Sequence, residues 1–283
     1  MSEPRFGIPD DELLELETVY REGLFTERTV LVTGAGTGIG KAISVLFGRL
    51  GARVALASRS EEKLASTAAL LERIGAEHRT LPTNIREPEA VDALFGALEA
   101  ADLVPDVLIN NAGGQFPQAS ADLSDKGWRA VVDTNLNGTW TMMQRAARLW
   151  QRAGTAGAIV NVIAPHRRGM HGVAHTVAAR AAVDHLSRNL AVEWAPDRIR
   201  VNCVLPGPID TEGMEVYPPE VQARMGRTNP MMRLGDVQDI AQACVYLVAD
   251  SGKFITGETL VVDGGHQHWG EIWLTEPPAH YRA

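Results

Sequence analysis

The chain has 283 residues, of which 45% are hydrophobic and 22% are charged, and its formal net charge at pH 7 is −8. This acidic balance argues against nucleic acid or an anionic membrane as the main partner, and the hydrophobic share is enough for a large core. Two cysteines, Cys203 and Cys244, form neither a disulfide framework nor a zinc-ligand pattern, and no apolar run reaches transmembrane length. We therefore expect a cytoplasmic protein without a metal site.

The first 26 residues precede the first predicted strand. Asp10 is a candidate N-cap for a short helix whose Leu13, Leu16, Val19 and Tyr20 form one apolar stripe. We expect this helix to pack on the body of the protein or on a neighbouring subunit, and to carry no chemistry of its own.

Residues 29–41 read TVLVTGAGTGIGK, in which a β-branched strand runs into a glycine-rich turn and then a helix. Gly34 allows the tight turn, Gly38 lets the backbone approach a pyrophosphate, and Gly40 lets the helix pack near the strand. The helix N-terminus offers free N–H groups and a partial positive charge to phosphates. This order predicts a dinucleotide site, and a plain strand-to-helix loop is the alternative.

Strands and helices alternate through the rest of the chain. The strands read as nearly continuous Val, Ile and Leu runs, which are typical of a parallel sheet buried on both faces. Predicted strands cover 53–57, a segment ending with 80–83, 106–110, 158–163, 199–205 and 259–262. Predicted helices cover 61–74, a segment ending at 100, 128–151, a segment ending near 194, and 237–248. The prediction is an α/β protein, a doubly wound Rossmann fold whose parallel seven-stranded sheet lies between two helical layers. We expect a single domain over 1–283, with an extension at 1–26 and a tail at 266–283.

The second strand ends at Ser58 and Arg59, and Arg59 follows Gly40 by nineteen residues. An acid here would bind the ribose 2′-hydroxyl of NAD, whereas an arginine can pair with a 2′-phosphate. The next acids, Glu61 and Glu62, open a helix, where they interact favourably with its dipole. NADP(H) is therefore the predicted cofactor, and a solvated arginine in a loop is the alternative.

Further motifs complete a family pattern: NNAG at 110–113, NLNG at 135–138, PGPI at 206–209, FITG at 254–257 and VDGG at 262–265. Together with TGAGTGIG they make the chain resemble the short-chain dehydrogenases/reductases over 29–265. The resemblance implies a Rossmann sheet, a commonly tetrameric assembly and nicotinamide-dependent hydride transfer. The expected cofactor contacts are Gly34, Thr37, Gly38, Ile39, Gly40, Ser58, Arg59, Asn84, Ile85, Asn111, Ala112, Gly113, Arg180, Pro206, Gly207, Ile209 and Thr211.

The usual chemistry of that family needs a Ser, a Tyr and a Lys besides an Asn. The Tyr donates a proton to a carbonyl oxygen, and the Lys lowers the pKa of that Tyr. Aligned through residues 181–183, this chain has Ala164 at the Ser position, Thr176 at the Tyr position and Arg180 at the Lys position. Asn135 is kept, and none of the four tyrosines falls near the expected place. The usual alcohol–ketone mechanism is therefore not expected.

The segments NIR at 84–86, NAGGQF at 111–116 and HTVAAR at 175–180 resemble one branch, the trans-2-enoyl-CoA and 2,4-dienoyl-CoA reductases. Members of that branch commonly lack the tyrosine and reduce a carbon–carbon double bond. In enoyl-thioester reduction, hydride adds to the β-carbon and negative charge develops on the thioester oxygen. A positioned hydrogen-bond donor stabilises that charge, and Asn135 is a candidate donor, directly or through water. Water can then protonate the α-carbon.

The candidate catalytic residues are Asn135, Arg180 and Thr176. Thr176 and Arg180 lie four residues apart on one helix and share a face. Arg180 can hydrogen-bond the ribose hydroxyls of the nicotinamide, but its fixed charge cannot shuttle a proton; a structural ion pair is the alternative. Thr176 can donate a hydrogen bond, and a spectator role fits equally well. His175 could donate a proton, although its place next to an apolar stripe favours a buried or interface role.

Residues 212–232 contain four methionines and three prolines and form the longest irregular stretch. This composition predicts a substrate lid, with a surface loop as the alternative. The tail holds Trp269 and Trp273, which we expect to dock on a partner subunit of a homotetramer.

The sequence thus favours an NADPH-dependent reductase of α,β-unsaturated acyl thioesters in fatty acid metabolism, with no nucleic acid or membrane partner. Two alternatives stay open. One is a carbonyl reductase with another proton donor, such as His175 or a water chain. The other is a protein that binds NADP(H) without catalysis.

Overall fold

One parallel sheet organises the chain. The computed structural model describes residues 6–269 and 279–281. Its seven strands lie in the order β3-β2-β1-β4-β5-β6-β7, and every pair is parallel. The strands are β1 Thr29–Thr33, β2 Arg53–Ser58, β3 His78–Pro82, β4 Val107–Asn110, β5 Gly157–Val162, β6 Ile199–Pro206 and β7 Thr259–Val262. The predicted fold class is therefore confirmed.

Helices connect the strands and cover both faces of the sheet. They are α1 Asp10–Glu15, α2 Gly38–Arg49, α3 Glu61–Arg73, α4 Pro88–Ala100, α5 Asp125–Val132, α6 Thr139–Ala153, α7 Ala174–Glu193, α8 Pro219–Met225 and α9 Val237–Val248. The predicted bounds agree with these within a few residues, except at 128–151 and in the predicted lid.

Hydrophobic cores lie on both faces of the sheet, because successive side chains of a strand point to opposite faces. Val30 and Val32 of β1 enter the core that α2, α3 and α9 cover, whereas Leu31 enters the core of α4, α6 and α7. The largest fully buried side chain of the second core is Trp150, whose Nε1 donates to the carbonyl oxygen of Pro105 at 2.5 Å. Burial on both faces explains why the strands read as continuous apolar runs.

The order of the strands reverses between β1 and β4, which are neighbours in the sheet. Thr33 at the end of β1 lies opposite Ala57 of β2 on one side and Asn110 of β4 on the other. The loops that leave these carboxyl ends run in opposite directions and open a crevice between them. The sheet therefore brings the segments after β1, β2, β4 and β6 to one edge.

The helix predicted over 128–151 is interrupted. A π-helical turn, Asp133–Gly138, separates α5 from α6. Gly138 lets this turn pack closely, since a Cβ there would lie 2.8 Å from the Cγ1 of Ile85. Thr139 Oγ1 donates to the carbonyl oxygen of Asn135 at 3.0 Å. Periodicity could not predict the wider turn, because it depends on what lies against it.

The predicted N-cap at Asp10 is wrong. Pro9 precedes α1 with no side-chain cap, and the Asp10 carboxylate instead pairs with Lys41 Nζ at 2.9 Å. Leu13 is buried, so α1 does pack on the body of the protein, but Val19 is 88% exposed and does not belong to the buried stripe. The segment before the helix contacts the chain after β6, since Gly7 N–H donates to Asp210 Oδ1 at 2.7 Å.

The tail prediction falls partly outside the described residues. Trp273 is among residues that the structure does not describe, whereas the ring of Trp269 lies 5.0 Å from that of Tyr281. Within the described ranges, no helix is long and apolar enough to cross a membrane, and no three His, Cys, Asp or Glu side chains could hold a metal ion. Both cysteines are free and buried.

Candidate active site

The glycine turn after β1 forms the first part of the site. Gly34 and Gly38 have φ values of +65° and +50°, which favour glycine. A Cβ on Gly40 would collide with the carbonyl oxygen of Gly34 and with the side-chain amide of Asn111. That amide donates to the carbonyl oxygens of Thr33 and Gly34 at 3.1 and 3.2 Å. The turn is thus held open in front of the N-terminus of α2, where Thr37 is the N-cap and Ile39 lies in the first turn.

Ser58 and Arg59 follow the end of β2 beside this turn. Ser58 is half-buried and Arg59 is exposed, and the Arg59 guanidinium makes no hydrogen bond or ion pair with any described residue. Glu61 and Glu62 lie in the first turn of α3, as predicted. A dinucleotide fits this arrangement, because the turn and the N-terminus of α2 can receive a pyrophosphate.

The loop after β4 is fixed by Thr33. Its Oγ1 accepts hydrogen bonds from the backbone N–H groups of Asn111 and Ala112, at 3.1 and 3.0 Å. In the neighbouring turn after β3, Ile85 is buried and the Nδ2 of Asn84 donates to Glu87 at 2.6 Å. These contacts hold two predicted cofactor segments at the edge of the crevice.

The chain after β6 closes the other side of the crevice. Pro206 ends β6, and a Cβ on Gly207 would lie 2.7 Å from the Cα of Asp263. Ile209 is buried, and the side chain of Thr211 lies about 3.5 Å from a Cβ placed on Gly38. The glycine turn and the segment after β6 therefore face each other.

Arg180 lies at the centre of the predicted site and is 5% exposed. Its Nη1 and Nη2 donate weakly to the carbonyl oxygens of Asn135 and Ala112, at 3.4 and 3.3 Å. Among the described residues no carboxylate pairs with it, so the alternative of a structural ion pair is not observed. Burial lowers its pKa to about 10, with a small opposing effect from Cys203. Arg180 is therefore a buried cation without an anion, directly beneath Gly113, where a Cβ would collide with Nη2.

Asn135 is buried, and both polar atoms of its side-chain amide are hydrogen-bonded to the loop after β4. Oδ1 accepts from the N–H of Gly114 and Nδ2 donates to its carbonyl oxygen, both at 3.0 Å. One of the two N–H groups of Nδ2 is thus used by Gly114. The amide holds the loop after β4, while the Asn135 carbonyl receives Arg180.

Thr176 and His175 are buried at the start of α7. The backbone N–H of Thr176 donates to His175 Nδ1 at 2.8 Å, so the ring proton belongs on Nε2, which has no hydrogen-bond partner among the described residues. Burial lowers the pKa of His175, and the nearby carbonyls of Val173 and Phe116 oppose this only in part. His175 is therefore a neutral imidazole, packed edge-on against the Phe116 ring at 4.8 Å.

Sequence reasoning missed an ionic cluster around Asp184. Its carboxylate accepts hydrogen bonds from Thr259 Oγ1 at 2.5 Å, His166 Nε2 at 2.9 Å and Arg188 Nη2 at 3.1 Å. Burial alone would raise the pKa of Asp184, but the bond from Thr259 and the charges of Arg188 and His166 outweigh it and lower the pKa. The cluster joins α7 to the ends of β5 and β7, and only the four-residue spacing of Asp184 and Arg188 signalled it.

Sequence reasoning also missed Tyr217, which lies in the predicted lid at 212–232. This segment is not simply irregular, since it contains a 3₁₀ turn at Glu212–Val216 and the helix α8. Tyr217 lies between them, and its phenol oxygen accepts a short hydrogen bond from Nε2 of Gln115 in the loop after β4. Burial raises the pKa of Tyr217. The two partners lie 102 residues apart, so no local pattern could indicate their contact.

The chain is similar to known proteins over most of its length. The family model described as "Enoyl-(Acyl carrier protein) reductase" matches residues 34–267. A peroxisomal 2,4-dienoyl-CoA reductase of Arabidopsis thaliana, named as producing (3E)-enoyl-CoA, is 35% identical over 277 residues, which cover 93% of this chain and 90% of that protein.

Two solved structures also match. A citronellol catabolism dehydrogenase of Pseudomonas aeruginosa is 34% identical with a TM-score of 0.80, covering 89% of this chain and 100% of that one. A 4-hydroxyisoleucine dehydrogenase complexed with NADH is 28% identical with a TM-score of 0.80, covering 86% and 100%.

Proposed function

Because the chain belongs to the short-chain dehydrogenase/reductase family, we propose that it uses NADPH to reduce a carbon–carbon double bond of an α,β-unsaturated acyl thioester. Oxidoreduction with a nicotinamide cofactor follows from the family. The feature that carries the choice of substrate is the residue pair Thr176 and Arg180, which the family resemblance places where carbonyl reductases have Tyr and Lys. The name of the dienoyl-CoA reductase relative supports the same choice.

The residues of the crevice suit NADPH. The turn at Gly38 and the N-terminus of α2 would hold the pyrophosphate, and Arg59 would pair with the 2′-phosphate. When bound, the nicotinamide supplies a hydride.

The reaction adds one hydride and one proton across the unsaturated system. With an enoyl thioester, hydride adds to the β-carbon; conversion of a 2,4-dienoyl to a 3-enoyl chain places the new hydrogens on C5 and C2. In both cases negative charge develops on the thioester oxygen before a carbon next to the carbonyl is protonated. Arg180 favours that charge, because a guanidinium with a pKa of about 10 stays protonated at pH 7 in a site of low dielectric constant. It keeps its proton, so water protonates the α-carbon.

The experiment is cofactor oxidation by the purified protein with trans-2-enoyl-, 2,4-dienoyl- and 3-oxoacyl-CoA thioesters, each with NADPH and with NADH. We expect oxidation of NADPH with the enoyl or dienoyl substrate. Oxidation with the 3-oxoacyl substrate alone would refute double-bond reduction. Tight binding of NADPH with no turnover of any of the three would support a binding protein.

A carbonyl–alcohol oxidoreductase is the second candidate. The buried Nε2–H of His175 favours it, because a neutral imidazole without a partner can donate to a carbonyl oxygen. The two dehydrogenase names among the solved structures agree with this alternative.

The proposal includes a cytoplasmic homotetramer. Phe254 is 100% exposed and Trp128 is 41% exposed, so the surface offers apolar side chains to other copies of the chain. Size-exclusion chromatography with light scattering would measure the mass of the assembly.

A further inference from the structure

We infer that Tyr217 is a catalytic residue whose phenol O–H donates a hydrogen bond to the thioester carbonyl oxygen of the substrate. The inference rests on the proposed function. The tyrosine hydroxyl then comes from the segment at 212–232, whereas position 176 on α7 is a threonine.

Tyr217 is held in place by its own segment. Its N–H donates to the carbonyl oxygen of Met214 at 3.1 Å, and Met214 is 5% exposed. Nε2 of Gln222 in α8 donates to the carbonyl oxygens of Tyr217 and Met214, at 2.8 and 3.2 Å. The backbone of Tyr217 is therefore hydrogen-bonded to Met214, whose side chain is buried, and to Gln222 of α8.

The phenol lies beside the loop that covers Arg180. Gln115, its hydrogen-bond partner, follows Gly114, which is held by two hydrogen bonds to the side chain of Asn135. The next residue back, Gly113, lies against the guanidinium of Arg180. The loop after β4 therefore contacts the guanidinium of Arg180 at Gly113 and the phenol of Tyr217 at Gln115.

The direction of the bond from Gln115 leaves the phenol proton available. A hydroxyl has one donor and two acceptor positions. Tyr217 accepts from Nε2 of Gln115, and its own O–H has no acceptor among the described residues. Burial raises the pKa of Tyr217, so the phenol stays protonated at neutral pH. The group is suited to donate a hydrogen bond without giving up its proton.

No bond to Tyr217 forms or breaks in this role. As hydride adds to the unsaturated chain, an electron pair moves to the carbonyl oxygen, and the Tyr217 O–H stabilises the negative charge there. The α-carbon takes its proton from water, and the carbonyl re-forms. Loss of one such donor typically lowers kcat about 10²-fold or more.

The test compares Tyr217→Phe with Tyr246→Phe, a change to a tyrosine on α9 that is 39% exposed and outside the site. Two quantities are measured with 2,4-dienoyl-CoA. One is kcat with NADPH. The other is the red shift of the dienoyl absorption band on binding in the presence of NADP⁺, where no reduction occurs and the shift reports hydrogen bonding to the carbonyl. We expect Tyr217→Phe to lower kcat about 100-fold and to diminish the red shift, with the Kd for NADPH unchanged. Tyr246→Phe should match the wild type.

The outcomes separate this inference from the proposed function. Wild-type kcat in Tyr217→Phe, or a lowered kcat with an undiminished red shift, overturns the inference while the proposed function stands. If the wild type reduces neither the enoyl nor the dienoyl thioester, the proposed function fails and the inference falls with it; if it reduces only the enoyl thioester, the same two quantities are measured with that substrate. Gln115→Leu provides a second test in case Tyr217→Phe does not fold. This variant keeps the phenol of Tyr217 and removes the hydrogen bond that orients it. We expect its kcat to fall about tenfold. An unchanged kcat in that variant would contradict the geometry.

Discussion

Replacing Arg180 by methionine should stabilise the cofactor-free protein while it impairs catalysis. The guanidinium is 5% exposed and has two long hydrogen bonds to backbone carbonyls, with no carboxylate partner among the described residues. Methionine has a similar length and no charge, so the substitution removes the buried cation without leaving a large cavity.

The magnitude follows from the pKa of Arg180, which burial lowers from the ordinary arginine range by roughly two to three units, to about 10. At 1.36 kcal/mol per pKa unit, this shift corresponds to about 3 kcal/mol of lost stability. The unfolded chain binds the proton more tightly than the folded one, so the loss is complete at every pH below about 10. It disappears as the pH rises from about 10 towards the ordinary pKa of an arginine side chain.

The free energy of unfolding should rise by less than the cost of the buried charge, because the variant also loses two hydrogen bonds. Each is long, and together they contribute about 1–2 kcal/mol. We therefore expect the free energy of unfolding of Arg180→Met to rise by about 1–2 kcal/mol near pH 7, with Tm higher by about 4 °C.

Urea unfolding of the cofactor-free protein at neutral pH measures the effect, as a rise in the midpoint concentration at constant m. Arg188→Met is the matched control, since Arg188 lies two turns further along α7 and its half-exposed guanidinium pairs with Asp184 at 3.1 Å. We expect that control to lose about 0.5–1 kcal/mol. An Arg180→Met protein that unfolds at a lower urea concentration than the wild type would refute the reasoning. In that case the contacts of the guanidinium would outweigh the cost of burying its charge.

Three further predictions concern the cofactor site and the thiols. Arg59→Glu should raise the KM for NADPH about tenfold or more and leave that for NADH nearly unchanged, whereas Arg73→Glu at the end of α3 should change neither. Gly40→Ala should abolish NADP(H) binding and lower the free energy of unfolding by more than about 2 kcal/mol, as calorimetry would show. Gly96→Ala, in α4 with no atom within 4 Å of the added Cβ, should instead gain about 0.5–1 kcal/mol. Burial raises the pKa of Cys203 to about 12 and also raises the pKa of Cys244. A thiol reagent at pH 8 should therefore label neither cysteine of the native protein and both cysteines after denaturation. Rapid labelling of the native protein would contradict the burial of these thiols.

The sequence alone determined the α/β architecture and the location of the cofactor turn. Strands buried on both faces require unbroken apolar runs, and the turn after β1 requires glycine where φ is positive or a Cβ would collide, as at Gly34 and Gly40. Both requirements act within a few neighbouring residues, so they can be read from the order of residue types.

Only the tertiary structure decided how the site is built. The π turn before α6, the engaged amide of Asn135 and the unpaired state of Arg180 all depend on which backbone groups the loop after β4 presents to them. The contact of Tyr217 with Gln115 joins residues 102 positions apart. Such contacts are set by the path of the loops at the carboxyl edge of the sheet, and no periodicity or spacing along the chain encodes that path.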